Sequence, residues 1–273
     1  MTIRGLTDYV WHQKLGRPYQ LHYQQFGSGE EPLLLLHGLA SSHKVWKPLI
    51  KLAGRRYKII APDLLGFGSS PTPEWANYDV SMHTKHVRAL MRRFGVREGQ
   101  PVTIVAHSMG CLIAAHMAHE CPHLVKRLVL YEPPLFADQP DRDSHRWLQE
   151  RYLTTFRYIA SHPQLVFSSD GKLRKQLQWL SGIVMHPGTW VPFKRSLENT
   201  IMMQQAYDEL RTVIVPTDIV YGRLDFIVLR TGARAALNDN THITFHLRNR
   251  MHGISNRAAQ DIAVILADDA PKI

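Results

Sequence analysis

Six short apolar runs, separated by segments with helical spacing, constrain the fold of this 273-residue chain more than any other feature. The runs are continuous rather than alternating with polar residues, which indicates strands buried on both faces. They cover residues 33–36, 58–61, 102–106, 127–131, 219–221 and 242–247. The clearest helical patterns cover residues 80–94, 108–120 and 255–266. This order predicts an α/β fold with a mostly parallel central sheet and helices on both faces.

Two further regions complete the predicted organisation. Residues 10–15 and 19–26 are predicted to form two strands joined by a turn at 16–18. The alternation of strand and helix stops after residue 133, and helical spacing returns in 144–160 and 173–183. We therefore predict a core formed by residues 1–133 and 212–273, with a helical cap, or lid, inserted at 134–211. Such an insertion is expected to cover the carboxyl edge of the sheet, where ligands bind in open α/β folds.

The charge of the chain first suggests a polyanionic partner. Lys and Arg number 33 against 23 Asp and Glu, a formal net charge of +10, while 44% of residues are hydrophobic, which excludes global disorder. The predicted cap contains ten basic and eight acidic residues, so most of the excess belongs to the core. There it is spread without a long basic block or an aromatic–basic repeat. We expect no nucleic-acid partner and a small-molecule substrate instead.

Cysteine content and hydropathy bear on location and assembly. No window approaches about 20 apolar residues, so no membrane span is expected. No signal-like segment is visible at the N-terminus. Cys111 and Cys121 are predicted to lie on one helix, about 15 Å apart at 1.5 Å per residue, too far for a disulfide. We expect a cytoplasmic protein that is a monomer or a homodimer.

The strongest chemical signal is the segment Ala-His-Ser-Met-Gly at residues 106–110. It follows a predicted buried strand and opens a predicted helix. A serine on such a tight strand-to-helix turn needs small residues two positions before and after it, and Ala106 and Gly110 meet that requirement. In this context the segment predicts a nucleophile, Ser108. The alternative is a serine that only caps the helix.

Four blocks in chain order resemble the α/β-hydrolase fold superfamily, in the serine-nucleophile branch with a helical cap that includes carboxylesterases and lipases. The first block is Leu-His-Gly-Leu at 36–39, and the second is Asp-Leu-Leu-Gly-Phe-Gly-Ser-Ser at 63–70. The third is the serine segment. The fourth is Tyr-Gly-Arg-Leu-Asp at 221–225, followed by Met-His-Gly at 251–253.

The resemblance implies a catalytic triad of Ser108, His252 and Asp225, in the chain order typical of this fold. Ser108 is a weak nucleophile that needs His252 as its base, and Asp225 would hold the imidazole in the correct tautomer. The backbone N–H groups of Leu39 and Met109 are the expected oxyanion hole. No cofactor and no metal are implied.

Other residues compete for these roles. Glu132 follows the strand at 127–131, where some relatives carry the acid, and is the runner-up to Asp225. His37 and His107 flank the expected site and are interpreted as supporting residues rather than bases. Asp63 begins a glycine-rich turn and is expected to bind the N–H groups of that loop. Asp218 begins the next strand and is expected at the opposite end of the sheet from the site.

A serine at position 108 disfavours the epoxide hydrolases and haloalkane dehalogenases, which use aspartate there. Carbon–carbon bond hydrolases usually carry a glycine-rich stretch after His-Gly and asparagine before the serine, whereas this chain has Leu-Ala-Ser-Ser at 39–42 and His107. We therefore predict a carboxylesterase for small to medium esters. A carbon–carbon bond hydrolase, a thioesterase, a perhydrolase and a hydrolase-like ligand receptor stay open. The cap aromatics, including Trp147, Trp179 and Trp190, either line an acyl pocket or pack the cap.

Overall fold

The computed structural model of the protein describes residues 3–136, 143–164, 187–228, 237 and 239–268. Seven strands form one sheet in the order β1-β3-β2-β4-β5-β6-β7. All neighbours from β3 to β7 pair in parallel, and β1 pairs antiparallel with β3 at the edge. The strands are β1 (Tyr23–Phe26), β2 (Glu31–Leu36), β3 (Tyr57–Pro62), β4 (Val102–His107), β5 (Val125–Tyr131), β6 (Thr217–Gly222) and β7 (Ile243–Arg248). The predicted mostly parallel sheet is confirmed.

Eight α-helices are present within the described ranges, and the three predicted most clearly are confirmed. They are α1 (Ile3–Asp8), α2 (Lys47–Ala53), α3 (Val80–Arg93), α4 (Met109–Glu120), α5 (Asp143–Ser161), α6 (Trp190–Ser196), α7 (Ala206–Arg211) and α8 (Asn256–Ala267). Asp79 caps α3 by accepting a hydrogen bond from the Met82 N–H, and Ser255 caps α8 in the same way through Ala258. None of the described helices is long and apolar enough to cross a membrane.

Alternate side chains of the central strands enter two separate cores, one on each face of the sheet. In β2, Leu34 and Leu36 join a core that contains Leu112 of α4, whereas Leu33 and Leu35 join a core that contains Ile262 of α8. Both sets are fully buried. This two-sided burial is the physical reason that the central strands are continuous apolar runs rather than alternating ones.

The N-terminal prediction is partly wrong. Residues 10–15 do not form a strand, because Tyr9–Lys14 is a π-helical turn that follows α1 directly. Gly16 then takes a left-handed φ of 60° and ends the helix. The strand predicted for 19–26 is shortened to β1, although Tyr19 and Leu21 are buried. Val, Trp and Leu favour a strand locally, but strand formation depends on pairing with a neighbour, and in the described sheet β1 pairs with β3 alone.

The helical character predicted for 144–160 is confirmed by α5, while residues 173–183 lie outside the described residues. Residues 190–202 are attached to the loop before α3. Thr200 Oγ1 donates to the Tyr78 carbonyl over 2.6 Å, and Arg195 Nη1 donates to the Ala76 carbonyl over 2.8 Å. Gly66 has a φ of 88°, and a Cβ there would lie 2.5 Å from Pro192, so α6 packs directly on backbone. The division into core and cap stays a prediction.

Candidate active site

Ser108 occupies a strained turn between β4 and α4. Its φ of 51° and ψ of −124° lie outside the regions that non-glycine residues normally adopt. Close packing holds this backbone in place. A Cβ on Gly110 would lie 2.5 Å from the Leu36 carbonyl oxygen, and one on Gly38 would lie 3.0 Å from the Ser108 Cβ. Only glycine fits the first position without displacing β2, which explains the small residue predicted two places after the serine.

His252 and Asp225 form a buried hydrogen-bonded pair. His252 Nδ1 lies 2.8 Å from Asp225 Oδ2, and the Ile227 N–H donates to Asp225 Oδ1 over 2.7 Å. Because the carboxylate accepts from Nδ1, the neutral ring has Nε2 available as a base. Burial alone would raise the pKa of Asp225, but the hydrogen bond and charge of His252 lower it below its usual value.

The predicted residues converge on one cavity of about 340 Å³. Ser108, His252 and Leu39 all line it, and Asp225 contacts the His252 ring from behind. Ser108 comes from the end of β4, Asp225 from the turn after β6, and His252 from the loop after β7. These are the carboxyl ends of parallel strands, which meet at one edge of the sheet.

The two predicted oxyanion donors flank Ser108. Met109 is the residue directly after it and the first residue of α4, so its N–H lies at the positive end of the helix dipole. Leu39 follows Gly38, whose backbone packs against the Ser108 side chain. An oxyanion hole is built from backbone N–H groups beside the nucleophile, and this role of Leu39 and Met109 stays a prediction.

His37 and His107 are fully buried, and His107 lines the cavity beside Ser108 whereas His37 does not. The Leu64 N–H donates to His37 Nε2 over 2.9 Å, so the ring carries its proton on Nδ1 and donates to the Gly38 carbonyl over 2.7 Å. His107 Nε2 lies 2.8 Å from the carbonyl oxygen of His252 and fixes the loop that carries this residue. Burial lowers the pKa of His37 to about 4 and of His107 to about 3.

The rival acids occupy different surroundings. Asp218 lies near the start of β6 and binds Arg127 and His246 at 2.7 Å each, at the end of the sheet opposite the cavity, as predicted. Glu132 follows β5 and is completely buried, and its Oε1 accepts from the Gly222 N–H over 2.6 Å. The carboxylate on the His252 ring is that of Asp225, not that of Glu132.

Asp63 lies outside the cavity lining and holds loops together. Its oxygens accept from the backbone N–H groups of His43 and Ser69 and contact Nδ1 of both His22 and His43. The three side chains place ligand-type atoms within 4.8 Å of one another. Each Asp63 carboxylate oxygen already accepts from two donors. These contacts join the segments next to β1 and β3 to the loop after β2. The loop-binding role predicted for Asp63 is confirmed.

The apolar lining of the cavity was not identified from the sequence. Neither Trp147, which is 58% exposed, nor Trp190 lines the cavity, and Trp179 lies outside the described residues. One face of α5 lines the cavity together with α6 and the π-helical turn that follows it, through Tyr152, Thr155, Phe156, Ile159, Phe193, Leu197 and Ile201. The i, i+3, i+4, i+7 spacing of the α5 residues was a usable signal for this face.

Comparisons with known proteins agree with this architecture. Residues 31–239 match the family model of the α/β hydrolase fold. An enol-lactonase from Burkholderia xenovorans LB400 has a TM-score of 0.68 at 17% identity, covering 91% of this chain and 95% of that one. A thermophilic esterase from Thermogutta terrifontis has a TM-score of 0.67 at 19% identity, covering 91% and 93%.

Sequence relatives match over shorter segments. An uncharacterised protein of Mycobacterium bovis is 37% identical over 112 residues, which are 41% of this chain and 31% of that protein. A soluble epoxide hydrolase of a Corynebacterium species is 32% identical over 126 residues, or 46% and 42% of the two chains. The match thus spans less than half the length of these curated relatives. The family model covers most of the present sequence, and the chain belongs to the α/β hydrolase fold family.

Proposed function

We propose that the protein is a serine carboxylesterase in which Ser108, His252 and Asp225 act as a catalytic triad. The observation that carries this proposal is the buried Asp225–His252 hydrogen bond, made beside a cavity that both His252 and the strained Ser108 line. A backbone held in a sparsely populated conformation is typical of functional positions. The esterase and the enol-lactonase among the structural neighbours have the same fold and add support only at that level.

In the first half of the reaction, Ser108 Oγ attacks the ester carbonyl carbon and its proton passes to His252 Nε2. The carbonyl oxygen becomes an oxyanion against the N–H groups of Leu39 and Met109, and loss of one such donor costs about 3–4 kcal/mol of barrier. Asp225 stabilises the imidazolium that forms. His252 then protonates the leaving alcohol as the carbon–oxygen bond breaks, which leaves an acyl-enzyme on Ser108.

In the second half, water attacks the acyl carbon while His252 Nε2 takes a proton from it. Collapse of this second tetrahedral intermediate breaks the bond to Ser108 Oγ, and the proton on His252 returns to that oxygen. The carboxylic acid is released and the enzyme is restored. Each proton taken by His252 is returned within the same half-reaction, so the cycle balances without another reactant.

The cavity supports an ester with a neutral, apolar acyl group. Apart from Ser108 and the two histidines, its described lining is mostly aliphatic and aromatic and contains no Lys, Arg, Asp or Glu. A substrate with a free carboxylate buried here would lack a cationic partner within this lining, which is unfavourable. This favours a neutral ester over a substrate that carries a free carboxylate.

A series of p-nitrophenyl esters with increasing acyl length tests the proposal. We expect multiple turnovers by the wild type and loss of turnover in Ser108→Ala. Ser28→Ala is the matched control, because Ser28 is exposed in the turn between β1 and β2, at the opposite edge of the sheet. A single stoichiometric burst without further turnover would favour the receptor alternative, and wild-type rates in Ser108→Ala would exclude the triad.

A further inference from the structure

Glu132 has an unusual position for a buried acidic residue. It is completely inaccessible to solvent, and its φ of 53° is in the left-handed region. Its N–H donates to the Val220 carbonyl over 2.9 Å, which ties it to β6. A Cβ on Gly222 would lie only 2.5 Å from Glu132 Oε1. The strained backbone and this glycine together place the Glu132 carboxyl group against Gly222, the last residue of β6. Gly222 lies three residues before Asp225 in the chain.

The Glu132 and Asp225 carboxyl groups belong to the same buried turn, because the Gly222 N–H donates to Glu132 Oε1 over 2.6 Å and the Asp225 N–H donates to the Gly222 carbonyl over 3.3 Å. A hydrogen bond from Glu132 is among the causes that lower the pKa of Asp225. Two ionised carboxylates offer only acceptors to each other, so such a contact is favourable only when one of the two groups carries a proton. Like charges this close, both withdrawn from water, do not ionise together. A contact between these two groups therefore requires one shared proton.

The surroundings decide which of the two groups holds the proton. Asp225 accepts from two donors, His252 Nδ1 and the Ile227 N–H, both of which favour its ionised form. Glu132 Oε1 accepts from one backbone N–H, that of Gly222. Within the described residues, the other ionisable side chains whose charges interact with this pair are Cys111, Tyr131, Tyr152, Tyr221 and His107.

We propose that Glu132 is a positioning residue that stays protonated and donates a hydrogen bond to Asp225. This inference rests on the proposed function, since it concerns the acid of the same triad. The bond holds the Asp225 carboxylate at hydrogen-bond distance from His252 Nδ1 and lowers the basicity of that carboxylate. Glu132 thus acts on the reaction through Asp225 and His252 without touching substrate.

Replacement of Glu132 by an isosteric amide or by alanine tests the proposal. In Glu132→Gln the amide N–H donates to Asp225 and the amide oxygen accepts from Gly222, so we expect kcat to fall less than about fivefold. Glu132→Ala removes both bonds, and we expect kcat to fall about 10- to 100-fold with little change in KM. Glu209→Gln is the matched control, because Glu209 is a buried carboxylate paired with His116 between α7 and α4.

The pKa of His252, followed by NMR titration of its ring, gives a readout that needs no turnover and separates this proposal from the proposed ester chemistry. We expect no change in Glu132→Gln. In Glu132→Ala, Asp225 loses a donor and becomes more basic, so the pKa of His252 rises. If Glu132 were ionised, Glu132→Gln would remove a negative charge and lower the pKa of His252. That result, or a loss of kcat in Glu132→Gln as large as in Asp225→Asn, would overturn the proposal.

Discussion

Asp225 and Asp63 are both buried carboxylates that bind histidine, yet their surroundings differ and suit them to different roles. Asp225 contacts one ring, that of His252, and this ring lines the cavity beside Ser108. Asp63 contacts the rings of His22 and His43 and also accepts two backbone N–H groups, outside the cavity lining. A carboxylate–histidine contact therefore indicates catalysis only where the second nitrogen of the ring has a reacting group and a cavity to act on.

The largest effect expected from this comparison is on turnover. We expect His252→Ala to lower kcat/KM for a p-nitrophenyl ester by about 10⁴-fold or more, because Ser108 loses its base. The matched variant is His43→Ala, which removes a histidine from the Asp63 cluster and should change kcat/KM less than tenfold. Steady-state kinetics on both variants, with circular dichroism as the folding control, measures the contrast. Near-wild-type rates in His252→Ala would remove it from the mechanism.

A smaller effect is expected on stability when the Asp63 cluster is altered. Burial alone would raise the pKa of Asp63, but the N–H groups of His43 and Ser69 lower it below its usual value. The cluster therefore stabilises the fold above the pKa that Asp63 has in the unfolded chain, and loses this contribution as pH falls through the lower folded pKa.

We expect Asp63→Asn to lower the free energy of unfolding at pH 7 by about 1–3 kcal/mol, since an amide cannot accept all four hydrogen bonds. Urea denaturation of the wild type and the variant measures this difference. An unchanged midpoint would mean that the cluster does not stabilise the loops. A loss of stability together with a 10³-fold loss of turnover per folded molecule would place Asp63 in the catalytic machinery instead.

The effect expected to be smallest at pH 7 concerns a buried histidine that binds no carboxylate. His83 on α3 is completely buried, and burial first, then the charges of His86 and His37, lowers its pKa to about 3. Below about pH 6.5 the unfolded chain binds a proton here that the folded chain does not, so stability falls as the pH falls toward the folded pKa. His83→Gln should reduce the slope of unfolding free energy against pH, between pH 4 and 6, by about 1.4 kcal/mol per pH unit.

Urea titrations across this pH range, with pH 8 as the reference where the slopes of the two proteins should agree, check this prediction. An equal slope for both proteins at pH 4–6 would mean that His83 is protonated in the folded state.

The two regions also show which structural features the sequence could predict and which it could not. The central strands were predictable because burial on both faces produces continuous apolar runs, as in β2 and β4. The Ser108 turn was predictable because its geometry needs small neighbours. Residues 10–15 were not, because strand formation depends on pairing with a neighbouring strand, which local residue preferences do not specify. The contact between Glu132 and Asp225 joins residues that lie 93 positions apart, and the sequence suggested only that they were rivals.

The central claim is that Ser108 is the nucleophile, and covalent labelling tests it most directly. An organophosphonate ester with a neutral alkyl group should add to one serine per chain, with loss of its leaving group. Intact mass followed by peptide mapping is expected to place the adduct on Ser108, and Ser108→Ala should take up no label at the same concentration. An adduct on another residue, or equal labelling of Ser108→Ala, would contradict the account.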